Sequence, residues 1–188
     1  ICGDYAVLIQ KLYNGSKITV YNVVTGSMRS VPIKGVSCFN AHADDKMVVF
    51  EYMGKRRGIG VISTDNWELE EINNIYPDIV LGGVWKDSII YRHGHDILKY
   101  DIKDKKEEIL VPCHHISGPP VVGNGCCAWL QRYRDKTCVA IYNIENGSRL
   151  FLSSPGYINE IHITGDHLIY QSSINDKCSI FVYDIKSG

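Results

Sequence analysis

Seven histidines and a scatter of acids are the side chains of this 188-residue sequence best suited to chemistry. His93-Gly94-His95, with Asp96 beside it, is a His-x-His pair that chelates zinc or copper when a third ligand arrives; otherwise it is a polar turn. Cys113-His114-His115 has the composition of a metal cluster. Consecutive side chains point apart, however, so a loop or strand start accounts for it better. His42 and His162 are set apart by register. Each stands eight residues before an aromatic, Phe50 or Tyr170, with Asn40 and Glu160 two residues earlier. On the innermost strand of a repeat around an axial channel, Asn40, His42, Glu160 and His162 would make a polar patch for an ion or small polar ligand. A water-filled polar channel is the plain alternative.

Glycoside hydrolysis needs two carboxylates facing one sugar. Asp44, Asp45, Asp78, Asp87, Glu160 and Asp166 are available. Asp45, Asp87 and Asp166 recur just before apolar runs, where a short carboxylate bonds its own backbone and starts a turn. There is no Gly-x-Ser-x-Gly, phosphate loop, His-Glu-x-x-His or Cys-x-x-Cys, so no catalytic residue, metal or cofactor is assigned. Lys55-Arg56-Arg57 and Arg132-Tyr133-Arg134 read as solvated turns.

The elements that must position these groups announce themselves by repetition. Tyr21-Asn22, Ile62-Ser63, Tyr100-Asp101, Tyr142-Asn143 and Tyr183-Asp184 end five apolar runs, at spacings of 41, 38, 42 and 41 residues. Between markers the order is strand, turn, strand, turn, strand, turn, strand, and no stretch carries a helical stripe. A period near forty on such a pattern predicts the four-stranded antiparallel blades of a β-propeller. The expected fold is one all-β domain of about five blades, near 1–33, 34–74, 75–112, 113–153 and 154–188. Three are complete. The first lacks its innermost strand and the last its fourth, so the sequence reads as an excerpt of a larger propeller or an incomplete ring. Leu8, Phe50, Tyr91, Trp129 and Tyr170 share one position in the second strand.

Twenty basic and 21 acidic residues leave a net charge of −1, with no basic excess to attract nucleic acid. No apolar run reaches the ~18 residues of a membrane span. The seven cysteines are odd in number and out of phase with the blades, which makes them buried thiols rather than a disulfide framework and leans toward a reducing, cytoplasmic setting.

The blade wording itself is familiar. Gly165-Asp166-His167-Leu168-Ile169-Tyr170, followed by Ile180-Phe181-Val182-Tyr183-Asp184-Ile185-Lys186-Ser187-Gly188, resembles the TolB-like, WD-repeat-like propeller blade. So does Ser117-Gly118-Pro119-Pro120 through Trp129 to Tyr142-Asn143-Ile144. The resemblance is to blades of archaeal and bacterial cell-surface proteins, spans nearly the whole chain and concerns scaffold motifs only. It implies a cell-surface or extracytoplasmic protein-binding role and transfers no catalytic residue. The sequence reading is therefore a non-catalytic binding module that presents a propeller face to a protein or surface glycan, with Tyr13, Arg57, Trp67, Trp85 and Tyr133 as interface candidates. Its alternatives are a glycosidase-like enzyme on a five-bladed propeller and a structural repeat of a surface layer.

Overall fold

The computed structural model describes residues 4–72, 78–113, 115–133, 136–154, 156–175 and 177–187, apart from the side chain of Tyr133. Every regular element in it is a β-strand. The first sheet holds β1 (Tyr5–Leu12), β2 (Gly15–Asn22) and β3 (Met28–Lys34). The second holds β4 (Ser37–Ala43), β5 (Met47–Met53), β6 (Arg57–Ser63) and β7 (Leu69–Ile72). The third holds β8 (Val80–Trp85), β9 (Ser88–His93), β10 (Asp96–Asp101) and β11 (Lys106–Pro112). The fourth holds β12 (Ile116–Gly123), β13 (Cys126–Tyr133), β14 (Lys136–Asn143) and β15 (Arg149–Ser153). The fifth holds β16 (Tyr157–Thr164), β17 (His167–Ile174) and β18 (Lys177–Asp184). Each is a meander of sequential neighbours, three-stranded at the first and fifth sheets and four-stranded between. The architecture is a partial propeller of four-stranded blades. The chain divides into two compact units, 1–84 and 85–188, with the boundary inside β8.

The five-fold marker has a physical cause. Its second residue closes the turn between the third and fourth strands. Asn22 Oδ1 accepts the amides of Val24 and Thr25, Asn143 Oδ1 those of Glu145 and Asn146, and Asp184 Oδ1 those of Lys186 and Ser187. Asp101 accepts the amide of Asp104, and in the second sheet Ser63 Oγ takes the amide of Asp65. The amides of Ser187 and Lys186 hold the half-buried Asp184 carboxyl below its usual range. The next residue then ties back to the turn before the second strand: Val23, Thr64, Ile102, Ile144 and Ile185 donate to the carbonyls of Asp4, Lys46, Asp87, Gly125 and Asp166. The carboxylates before the second strands behave less uniformly than expected. Asp44, not Asp45, bonds its own backbone, at the amides of Lys46 and Met47, while Asp166 pairs with Lys186 and accepts from Asn124.

The fourth residue after the marker must turn left-handed. Gly26 and Gly147 do so at φ 72° and 73°, at no steric cost. Trp67 occupies that position in the second sheet at φ 61°, a strained conformation for a bulky side chain. Its ring repays this by packing on the core between sheets one and two, under the Arg29 guanidinium.

Each core forms where one sheet's face meets the next. Sheet one contributes Ile18 and Val20, with Val7 and Ile9 on either side of Leu8, and sheet two contributes Val48, Phe50 and Tyr52. Gly60, opposite Phe50, leaves room for its ring; a Cβ there would stand 2.3 Å from it. Within 85–188, Ile90 and Ile97 meet Cys127, Trp129 and Ala140. Ala128, Leu130, Val139 and Ile141 likewise meet Ile158, Leu168 and Tyr170. The same rule holds in these three pairs of sheets. The face beside the second-strand aromatic packs against the next sheet's aromatic face, because alternate residues of a strand point to opposite sides.

Candidate functional site

The buried charged group among the described residues of the unit spanning 1–84 is Glu51, only 1% exposed on β5. A carboxylate in such a place survives only if its oxygens are satisfied. Oε1 accepts from Asn40 Nδ2 and from the Leu81 amide, both at 2.7 Å; Oε2 accepts from Arg57 Nη2 at 2.5 Å. Asn40 Nδ2 also donates to the Leu81 carbonyl at 3.0 Å. Asn40 and Glu51 together therefore grip both polar groups of residue 81, as a neighbouring strand would. Asn40 reaches this position because a β-bulge between Phe39 and Ala41 puts it at φ 48°, a region Asn tolerates. Arg57 is spread over the Phe39 ring, 5.4 Å from its centroid.

His42 completes the cluster, with Nε2 3.3 Å from Asn40 Oδ1. Burial pushes its imidazole below the ordinary value of 6.5, against the pull of the Glu51 carboxylate. The unfolded chain then binds this proton more readily than the folded one. The His42 contribution to stability is complete above pH 6.5 and is lost as pH falls through that value toward the folded pKa. Urea midpoints measured from pH 7.5 down to 5 are expected to decline, and His42→Gln to flatten that segment of the curve. An unchanged slope in His42→Gln would assign the decline to other groups.

Of the four residues read from sequence as an axial patch, Asn40 and His42 thus meet in one network. Glu160 and His162 form a separate pair in the other unit, 3.9 Å apart and both solvent-exposed. Through its pairing with Gln171 and Ile169, this pair lies on the same face of sheet five as those residues.

The interface candidates fall out differently. Tyr13 projects fully from the β1–β2 hairpin. Arg57 is drawn inward to Glu51, its side chain 24% exposed. Trp67 and Trp85 are half-buried against cores, Trp85 under the Lys86 ammonium, which also pairs with Glu145. The Tyr133 side chain, His114 and Cys2 lie outside the described residues.

Sequence reasoning missed Glu51. The column after the second-strand aromatic reads Ile9, Glu51, Arg92, Leu130, Gln171, with no common chemistry. Two of its charged members do one job with opposite polarity. Glu51 accepts from the Leu81 amide, and Arg92 Nη1 donates to the Gly118 carbonyl at 2.8 Å, each on the following innermost strand. The signal was a lone charge between apolar neighbours, Phe50 and Tyr52, in a run otherwise built for a core.

Cys38, Cys113, Cys126 and Cys127 are buried, Cys138 half-buried and Cys178 exposed, all without disulfides. Burial raises the Cys113 thiol to about 11 and Cys127 further, so neither is a thiolate near neutrality. Among the described residues no group of three His, Cys, Asp or Glu side chains is placed to hold a metal ion, and no helix is long and apolar enough to cross a membrane.

Comparison with solved structures decides the fold. TolB from Acinetobacter baumannii superposes with a TM-score of 0.69 at 14% identity, over 97% of this chain and 49% of that one. The fold is that of a TolB-like β-propeller. The same fold recurs in the β-propeller domain of the Trilobed protease from Pyrococcus furiosus, at TM-score 0.72, 13% identity, and 97% and 66% coverage. A prolyl endopeptidase matches at TM-score 0.74, 11% identity, and 98% and 32% coverage. The chain thus spans from about a third to about two thirds of these proteins. No family model and no curated protein matches the sequence.

Proposed function

We propose that the chain is a non-catalytic binding module, presenting a propeller face to a protein or surface-glycan partner. The observation that carries this reading is that five of the chain's acids, Glu51, Asp44, Asp101, Asp166 and Asp184, are engaged in holding the scaffold. Glu51 is occupied by three donors, and Asp44, Asp101 and Asp184 close turns. Asp166 is tied to Lys186 and Asn124. A carboxylate so held is poorly placed to shuttle protons at a glycosidic bond, which needs a second free acid across one sugar. The buried thiols are poor nucleophiles for the same desolvation reason. Tyr13, on the β1–β2 hairpin, and Trp85, at the end of β8, are the side chains best suited to anchor a partner.

Native affinity electrophoresis on gels cast with pullulan or polygalacturonate tests the glycan arm, and chromogenic aryl glycosides and peptide p-nitroanilides test turnover. The expected result is retardation on one polysaccharide, weakened by Trp85→Ala or Tyr13→Ala, without hydrolysis. Hydrolysis abolished by Glu160→Gln would overturn the reading in favour of the carbohydrate-active enzyme.

A further inference from the structure

Sheet one carries no acid. From Tyr5 to Ala43 the chain has Lys11, Lys17, Arg29 and Lys34 but no Asp or Glu, in a molecule whose net charge is −1. The fold gathers some of these cations with those of sheet two. The β1–β2 hairpin turns at Tyr13-Asn14, the β3–β4 connection at Gly35-Val36 and the β5–β6 hairpin at Gly54-Lys55-Arg56. These three turns touch. The Gly35 amide donates to the Asn14 carbonyl at 3.2 Å, and a Cβ at Gly54 would stand 2.7 Å from Val36 Cγ1. Lys11, Lys34, Lys55 and Arg56 are all exposed at this one end, together with the fully exposed Tyr13 ring.

None of these four cations is paired with an acid among the described residues. The acids of the same unit lie elsewhere. Asp4, Asp44, Asp45, Asp65 and Glu68 stand at the opposite ends of the strands, in the turns that precede β1, β5 and β7. Glu51 is buried and taken by Arg57. Glu70 and Glu71 lie along β7, and Asp78 follows it in the chain. One end of the two sheets is therefore cationic, and such a surface is complementary to an anionic partner. Its charges sit on two stacked sheets about 10 Å apart, a spacing for an extended chain rather than for one small anion. A folded protein partner would need an apolar centre inside the polar rim. Leu12 and Met53, the exposed apolar residues beside these turns, lie on the outward faces of sheets one and two and point away from each other. A single-stranded nucleic acid stacks successive bases on several aromatics along a groove, whereas here a single ring stands on a hairpin tip.

We propose that this end of sheets one and two binds an acidic polysaccharide, a sugar chain bearing carboxylates. Lys11, Lys34, Lys55 and Arg56 pair with the carboxylates, and the Tyr13 ring lies against the apolar C–H face of a sugar. The proposal rests on the binding-module reading and gives it a class of glycan and a surface.

Surface plasmon resonance on immobilised polygalacturonate tests it. The native chain is expected to bind at low ionic strength and to lose most of its affinity in about 1 M NaCl, where the Debye length falls to ~3 Å. Lys55→Glu with Arg56→Glu, and separately Lys11→Glu with Lys34→Glu, should each weaken binding about tenfold or more, because two attractive contacts become repulsive. Tyr13→Ala should weaken it roughly two- to tenfold and leave the salt dependence unchanged. Lys103→Glu with Lys106→Glu, exposed cations at the β10–β11 turn, changes the net charge equally and should leave binding as it is. Every substituted residue is exposed, and circular dichroism checks that the folds persist. No binding to polygalacturonate overturns the proposal, as does an equal loss in the Lys103/Lys106 variant or tighter binding to oligo(dT) at the same salt. Binding to neutral pullulan that the Lys and Arg variants do not alter overturns this surface while the binding-module reading stands.

Discussion

Glu51→Ala is expected to be the most damaging polar substitution in the chain. It leaves Arg57 Nη2, Asn40 Nδ2 and the Leu81 amide without their acceptor. Removing one partner of a buried ion pair costs about 3–5 kcal/mol, because the surviving charge stays desolvated. For a chain of this size that is a fall in Tm of about 6–20 °C. Glu51→Gln should fall between, since an amide oxygen still accepts but the charge on Arg57 goes unanswered. Replacing both partners, as Glu51→Leu with Arg57→Met, should cost less than Glu51→Ala alone, because no orphaned charge remains. Hydrogen exchange adds a local readout: the Leu81 amide should lose protection in Glu51→Ala before the rest of the core does. A Glu51→Ala protein within about 0.5 kcal/mol of the native chain, the range of an ordinary surface change, would remove Glu51 from this role.

The second large effect contrasts two residues at one repeat position. Trp129 is 1% exposed between sheets three and four, and its indole N–H has no hydrogen-bond partner. Trp129→Ala therefore loses packing alone, at about 3–5 kcal/mol for the transfer and cavity terms together. Leu8, at the same position in sheet one, is 65% exposed. Leu8→Ala in dilute protein should stay within about 0.5 kcal/mol. Urea unfolding of both variants, compared by midpoint at constant slope, checks the pair. Equal losses would mean that Leu8 is covered.

Much of this architecture was legible in the residues. Alternation and turn chemistry are local, so the strands, the meander order and the shortness of the first and fifth sheets could be read from spacing alone. The marker was legible as a repeat, but its work was not: that Asn22, Asn143 and Asp184 cap one turn while the following residue ties back to another requires seeing two turns of one sheet side by side. The candidate site was half legible. Register brought out Asn40 and His42, yet it also selected Glu160 and His162, which stand exposed in the other unit. Register says which strand position a residue holds, not whether another sheet covers it. Arg57 shows the same limit from the other side. In sequence it belongs to a basic run on a turn; in the structure its guanidinium folds inward because a buried carboxylate waits there.

The sequence by itself determined the blade: its period, its four-strand order, its turn residues and the aromatic in the second strand of the second to fifth repeats. These follow from interactions within about forty residues, where alternation and Asx chemistry act. The tertiary structure alone decided what stands between blades. It gave Glu51 to the backbone of residue 81 and Arg92 to that of Gly118, and it buried Trp129 while leaving Leu8 bare. It also covered Val139 but not Ile180. The physical reason is that desolvation and pairing depend on the neighbour across a seam, and that neighbour lies about one repeat away in sequence.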